Sequence, residues 1–241
     1  MMNLAVLNRN GHKISRLALL GPEKIRHQLE HTKDTEVKQQ KTVADLTVCM
    51  YSLNVDGFEK SLDECFESWP HAQVFNEVIY PFLKMHQLLW QGNRLIEEHL
   101  AVTALRSKMI HAAERVSTCN TIEKAVILFL HTTKQLDLGL LYIFFHLKNA
   151  GIKVIYLGSD VSVSNLEILF QKIRPHLLYT YLPGKNNFEF QKLMQLLDSQ
   201  PDDCKLIMST HSQTFQNVFV SDKIVHLKFE EALPYLLGDG L

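Results

Sequence analysis

The stretch IEKAVILFLHTTKQLDLGLLYIFFHLKNAGIKVIYLGSDVS, from Ile122 to Ser162, decides the fold. Ala125–Leu130 and Val154–Leu157 are short apolar runs. Runs of that length suit strands buried on both faces of a sheet. Between them, Leu138–Asn149 repeats its apolar residues at helical spacing. Strand, loop, helix and strand make the first half of an open parallel sheet, in which ligands bind at the carboxyl ends of the strands.

The alternation continues downstream. Apolar runs recur at Leu177–Leu182, Leu206–Met208 and Ile224–Leu227. Amphipathic segments lie at Asn165–Ile173, Glu189–Leu197 and Glu230–Leu237. Five strands in this order predict a flavodoxin-like, five-stranded parallel sheet. His211 to Asp222 is polar and weakly periodic, which predicts a degraded helix between the last two strands.

Upstream of Cys119 the apolar period is that of helices throughout. Val43, Leu46, Met50 and Leu53 mark one helix, stopped by Asn54-Val55-Asp56-Gly57. Phe58 to Phe66 gives a second, ended by Trp69-Pro70; Val74 to Trp90 a third; and Leu95 to Val116 a fourth. Short connections between them predict a four-helix bundle. Thr32 to Lys41 reads as a linker or an exposed helical start. The expected class is α + α/β: a helical hairpin over 1–33, the bundle over 34–118 and the sheet domain over 119–241.

A net charge of -1 with 46% hydrophobic and 21% charged residues is an ordinary globular balance, without a global pull toward nucleic acid or membrane. The amino end is locally basic: Arg9, Lys13, Arg16, Lys24, Arg26 and Lys33 face only Glu23 and Glu30 over 1–33. A solvated helix face accounts for that count, and a nucleic-acid-facing segment is the alternative. Cys49, Cys65, Cys119 and Cys204 form no zinc spacing, and a reducing, cytoplasmic setting is the simplest inference. No apolar run is long enough to span a bilayer. Phosphate-cradling glycine motifs, a nucleophile elbow and a pair of carboxylates for acid–base work are all missing, so an enzyme is not expected.

The quoted stretch resembles the cobalamin-binding domain of methionine synthase and of MerR-type repressors that sense light through adenosylcobalamin. The likeness is carried by Leu138-Gly139-Leu140-Leu141 and by Gly151-x-Lys153-Val154-Ile155-Tyr156-Leu157-Gly158. In that family the loop after the first strand carries acid-x-His-x-x-Gly, whose histidine ligates cobalt. Here the frame reads Lys134-Gln135-Leu136-Asp137-Leu138-Gly139, which keeps Gly139 but sets Leu136 at the histidine position. Leu136 has no lone pair, and Lys134 replaces the orienting carboxylate. The family also places Ser or Thr after the third strand and Gly-Gly after the fourth, both flanking the cofactor's buried nucleotide tail. Thr180 or Tyr181 stands near the first place and Ser209-Thr210-His211 occupies the second. By the resemblance, Gly139 lets its helix approach the sheet and Gly158 makes the turn after the second strand.

The bundle carries a second part of the likeness. Trp90 followed by Glu98-His99 is similar to the family's Trp and Glu-His signature for the corrin's upper face, with a spacing two residues shorter than usual. The alternative gives Trp90 a packing role at the bundle end and His99 an interfacial hydrogen bond. The segment Met2 to Ala18, with Asn10-Gly11-His12-Lys13-Ile14-Ser15, resembles the last helices of a MerR-type DNA-binding domain. A plain helical hairpin is the alternative. Together these imply the sensor region of a MerR-type transcriptional regulator with a degenerate cobalamin-binding domain. DNA would be a partner only through an upstream helix-turn-helix, and a homo-oligomer is expected. A corrinoid-binding module without a lower histidine is the second expectation, an enzyme accessory domain the third.

Overall fold

The computed structural model describes Lys24 and residues 35–89, 95–117, 122–131, 137–182, 190–200, 204–210 and 221–238. The described residues divide into two compact units, 35–86 with 95–105, and 87–89 with 106–238. The amino-terminal hairpin expected over 1–33 lies outside the described residues apart from Lys24. So does most of the His211–Asp222 connection.

In the first unit, α1 (Thr35–Tyr51) packs against α2 (Val55–Ser68). The third helix of the sequence reading is three segments: α3 (His71–Val74), a π-helical turn (Phe75–Ile79) and α4 (Tyr80–Met85). The widened turn has a local cause. Pro81 has no N–H and its ring would strike the carbonyl four residues back. The Tyr80 N–H reaches back to Phe75 O instead, which adds a residue to the turn. Leu46, Leu62, Phe75, Ile79 and Phe82 are fully buried, and Phe58 meets Phe82 edge-on at 5.6 Å. The fourth helix, α5 (Ile96–Glu114), gives its first half to this core through Ala101, Val102 and Leu105.

Two details differ from the sequence reading. The first helix starts at Thr35, because Val37 and the polar Gln39 are both buried. Gly57 does not end a helix. It sits in the first turn of α2, where its N–H donates to the capping Asn54 Oδ1 at 3.0 Å.

The second unit is a five-stranded, all-parallel sheet ordered β2-β1-β3-β4-β5. The strands are β1 (Ile122–Phe129), β2 (Ile152–Gly158), β3 (Leu177–Leu182), β4 (Lys205–Thr210) and β5 (Ile224–Leu227). Helices α6 (Leu138–Asn149) and α9 (Phe229–Leu237) pack together on the sheet. Helices α7 (Val163–Phe170) and α8 (Phe190–Asp198) take the other face, over Ile127, Phe129, Leu178, Leu206 and Met208. The division between the two units falls inside α5, between Leu105 and Arg106. Side chains explain why the second half of α5 belongs with the sheet. Arg106 pairs with Asp137, and Lys148 Nζ donates to Ala113 O at 2.8 Å, capping the last turn.

Candidate functional site

Strand order reverses between β1 and β3, so the crevice expected of an open parallel sheet lies at their carboxyl ends. Leu136 and Lys134 lie outside the described residues, as does Trp90. What is described is the floor of the crevice and the start of α6.

Asp137 opens α6. Arg106 grips its carboxylate with two nitrogens: Nε donates to Oδ1 and Oδ2 at 3.0 Å each, and Nη2 to Oδ1 at 2.6 Å. The negative charge also suits the positive end of the helix. The Tyr156 hydroxyl, buried and without a hydrogen-bond partner among the described residues, is near enough to feel both charges. Burial raises its phenol most, the Asp137 carboxylate raises it further, and the Arg106 guanidinium opposes.

Gly139 is two residues further on, and a close approach requires it. A Cβ there would stand 3.1 Å from Phe229 Cε2 and 3.3 Å from Leu89 Cδ2. Phe229 opens α9, only 2% exposed, with its ring 6.0 Å from Tyr181 and 6.1 Å from Tyr142. Tyr179 and Tyr181 stand two apart on β3, so both face α6 and α9. Each phenol is raised far above its usual range, first by burial. Tyr179 donates its hydroxyl proton to Ser209 Oγ at 3.3 Å. Gly139→Val should therefore overpack this layer and cost about 1–2 kcal/mol, read as a lower urea midpoint with unchanged slope.

The residues singled out from the sequence separate as follows. Gly139 and Ser209 belong to the α6–α9 face of the sheet. Thr180 is fully buried, its hydroxyl without a partner among the described residues, but it shares the parity of Leu178 and so points to the α7–α8 face. Gly158 ends β2 at φ +76, a left-handed conformation that suits glycine, and its carbonyl accepts from Leu130 N–H at 2.8 Å. Glu98 and His99 sit in the first turn of α5 in the helical unit, Glu98 half-buried and His99 exposed.

Two histidines were not singled out as site residues. His131, at the end of β1, has Nδ1 2.8 Å from Val161 O. A carbonyl only accepts, so Nδ1 carries the proton. In the helical unit, His86 Nε2 is 3.0 Å from Thr47 Oγ1, whose own proton goes to Val43 O at 2.8 Å. His86 is therefore the donor, and burial holds its pKa below the usual range against the opposing charge of Glu98. The same unit holds a groove of about 240 Å³ whose lining includes Lys41, Asp45, Cys65 and Trp69. Lys41 and Asp45 pair at 2.6 Å, and burial pushes the Cys65 thiol up to about 11, which leaves it unreactive. Among the described residues, no group of three His, Cys, Asp or Glu is placed to hold a metal, and no helix is long and apolar enough to cross a membrane.

With this geometry in hand, the chain can be set beside known proteins. The fold is shared with a solved corrinoid protein. The structure of the Methanosarcina barkeri monomethylamine corrinoid protein superposes with a TM-score of 0.62 over 83% of this chain and 98% of that one, at 16% identity. A chain of the methanol:cobalamin methyltransferase complex MtaBC from Methanosarcina barkeri gives 0.43 at 15% identity, covering 96% of this chain and 90% of that one. A cobalamin-binding protein from Desulfitobacterium hafniense DCB-2 gives 0.34 at 15% identity, over 76% and 81%. No protein-family model matches the sequence. No curated protein matches it.

Among the described residues, the packing beneath α6 and α9 does not fit the nucleotide tail of a complete cobalamin. The family resemblance puts the nucleotide tail beside the loop after β1 and the ends of β3 and β4. Among the described residues, the layer between the sheet and helices α6 and α9 has no spare room for a heterocycle: Tyr179, Tyr181 and Phe229 are each at most 2% exposed, and Gly139 is closed over by Phe229 and Leu89.

Proposed function

We propose that this chain is a corrinoid-protein module with a binding and regulatory role rather than a catalytic one, working without a histidine ligand from the loop after β1. The observation that supports the reading is a fold shared with a solved corrinoid protein, with buried aromatic residues packed between its sheet and α6 and α9. The sequence frame that sets Leu136 where the family has a cobalt-ligating histidine agrees with it. The amino-terminal resemblance supports a finer assignment, the sensor region of a MerR-type regulator that acts through oligomerisation. In that assignment DNA contact belongs to a helix-turn-helix and not to the sheet, since base edges are read by an element that enters a groove.

A second setting is favoured by the likeness to the monomethylamine corrinoid protein, which this chain covers almost completely. There the module would carry a corrinoid for a partner enzyme. The test of the shared reading is retention of a corrinoid. The full chain, incubated with an excess of mixed corrinoids with and without a nucleotide tail, should emerge from gel filtration coloured, at one corrinoid per chain. A colourless protein that is folded by circular dichroism rejects it. Light scattering before and after loading then separates the settings: a change of oligomeric state supports the regulator, an unchanged monomer the carrier.

A further inference from the structure

The close packing beneath α6 and α9 narrows the ligand class. Phe229 lies against Gly139 at the start of α6 and touches the layer of Tyr142 and Tyr181. Tyr179 fixes Ser209 beneath it. These groups come from α6, α9, β3 and β4, the elements that would have to part to admit a heterocycle. Interiors are packed without spare volume, so an entering ring must displace one already there.

We propose that this module takes a corrinoid that lacks the nucleotide tail, with Phe229 and Tyr181 standing where the tail's heterocycle would go. The proposal rests on the reading of the chain as a corrinoid-protein module. It assigns the selectivity to two side chains: Phe229, which blocks the gap over Gly139, and Tyr181, whose buried ring backs it. A tail-less corrinoid leaves both in place, whereas a complete cobalamin must expel at least one from the core.

The experiment compares dicyanocobinamide, which has no nucleotide, with cyanocobalamin, by equilibrium dialysis and visible absorbance on the full chain. Dicyanocobinamide should bind one per chain, and cyanocobalamin about 100-fold or more weaker, as expected when a buried aromatic ring must be displaced. In Phe229→Ala the gap opens and the preference should shrink about 10-fold. Phe229→Leu, a milder opening, serves if the alanine variant fails to fold, and should shrink the preference by a smaller factor. Equal binding of both corrinoids by the unmodified chain overturns the tail-less assignment while leaving the module reading intact. Binding of neither corrinoid by a folded chain rejects the module reading itself. A preference unchanged in a folded Phe229 variant overturns the role given to Phe229.

Discussion

Replacing Arg106 with methionine should destabilise the sheet unit by about 2–3 kcal/mol. Its guanidinium holds Asp137 through three contacts between 2.6 and 3.0 Å, and the two side chains are only 23% and 15% exposed. Removing one partner of a buried pair costs about 3–5 kcal/mol, because the other charge stays desolvated. Residual exposure and the N-terminal dipole of α6 soften that figure here. The double variant Arg106→Met with Asp137→Asn should recover part of the loss, since the stranded carboxylate is gone. Urea unfolding followed by far-UV circular dichroism gives both numbers. A loss under 0.5 kcal/mol for the single variant would mean that the pair contributes no more than an ordinary surface bridge.

The sheet unit should also lose about 3 kcal/mol as the pH falls from about 6.5 to below 4. His146 on α6 is 8% exposed and packed on Tyr142 and Phe145, and burial lowers its pKa to about 4 from the ordinary 6.5. The folded state thus holds the ring neutral while the unfolded chain protonates it. With the folded pKa depressed, stability is complete above pH 6.5. It drains by about 1.4 kcal/mol per pH unit until the folded value is passed. His146→Phe should flatten this part of the profile. Urea midpoints of the two proteins between pH 7 and 4 check it, and parallel slopes would remove His146 from the account.

The strands were legible because each is a short run that is apolar on both faces. Leu177–Leu182 and Ile224–Leu227 appear in the structure with the bounds that the sequence implied. The start of α1 was hidden because its buried positions include Gln39, whose polarity breaks the apolar stripe. The π-helical turn was hidden because periodicity over five residues cannot separate it from an α-helix; Pro81 was the available signal. Tyr179 and Tyr181, two apart on a strand, could have been read as a pair on one face. Their meeting with Phe229 could not, because contact between Gly139 and Phe229 is a property of packing across ninety residues of chain rather than of local pattern.

The three phenols of the sheet's α6–α9 face, Tyr156, Tyr179 and Tyr181, also set an alkaline ceiling. All three are raised by burial, so the folded sheet keeps them protonated above pH 10 while the unfolded chain ionises them. Alkali therefore pulls this unit open through the very residues that fill its interior. Their ultraviolet ionisation band, which would rise only as the sheet gives way, makes the plug its own optical reporter of opening.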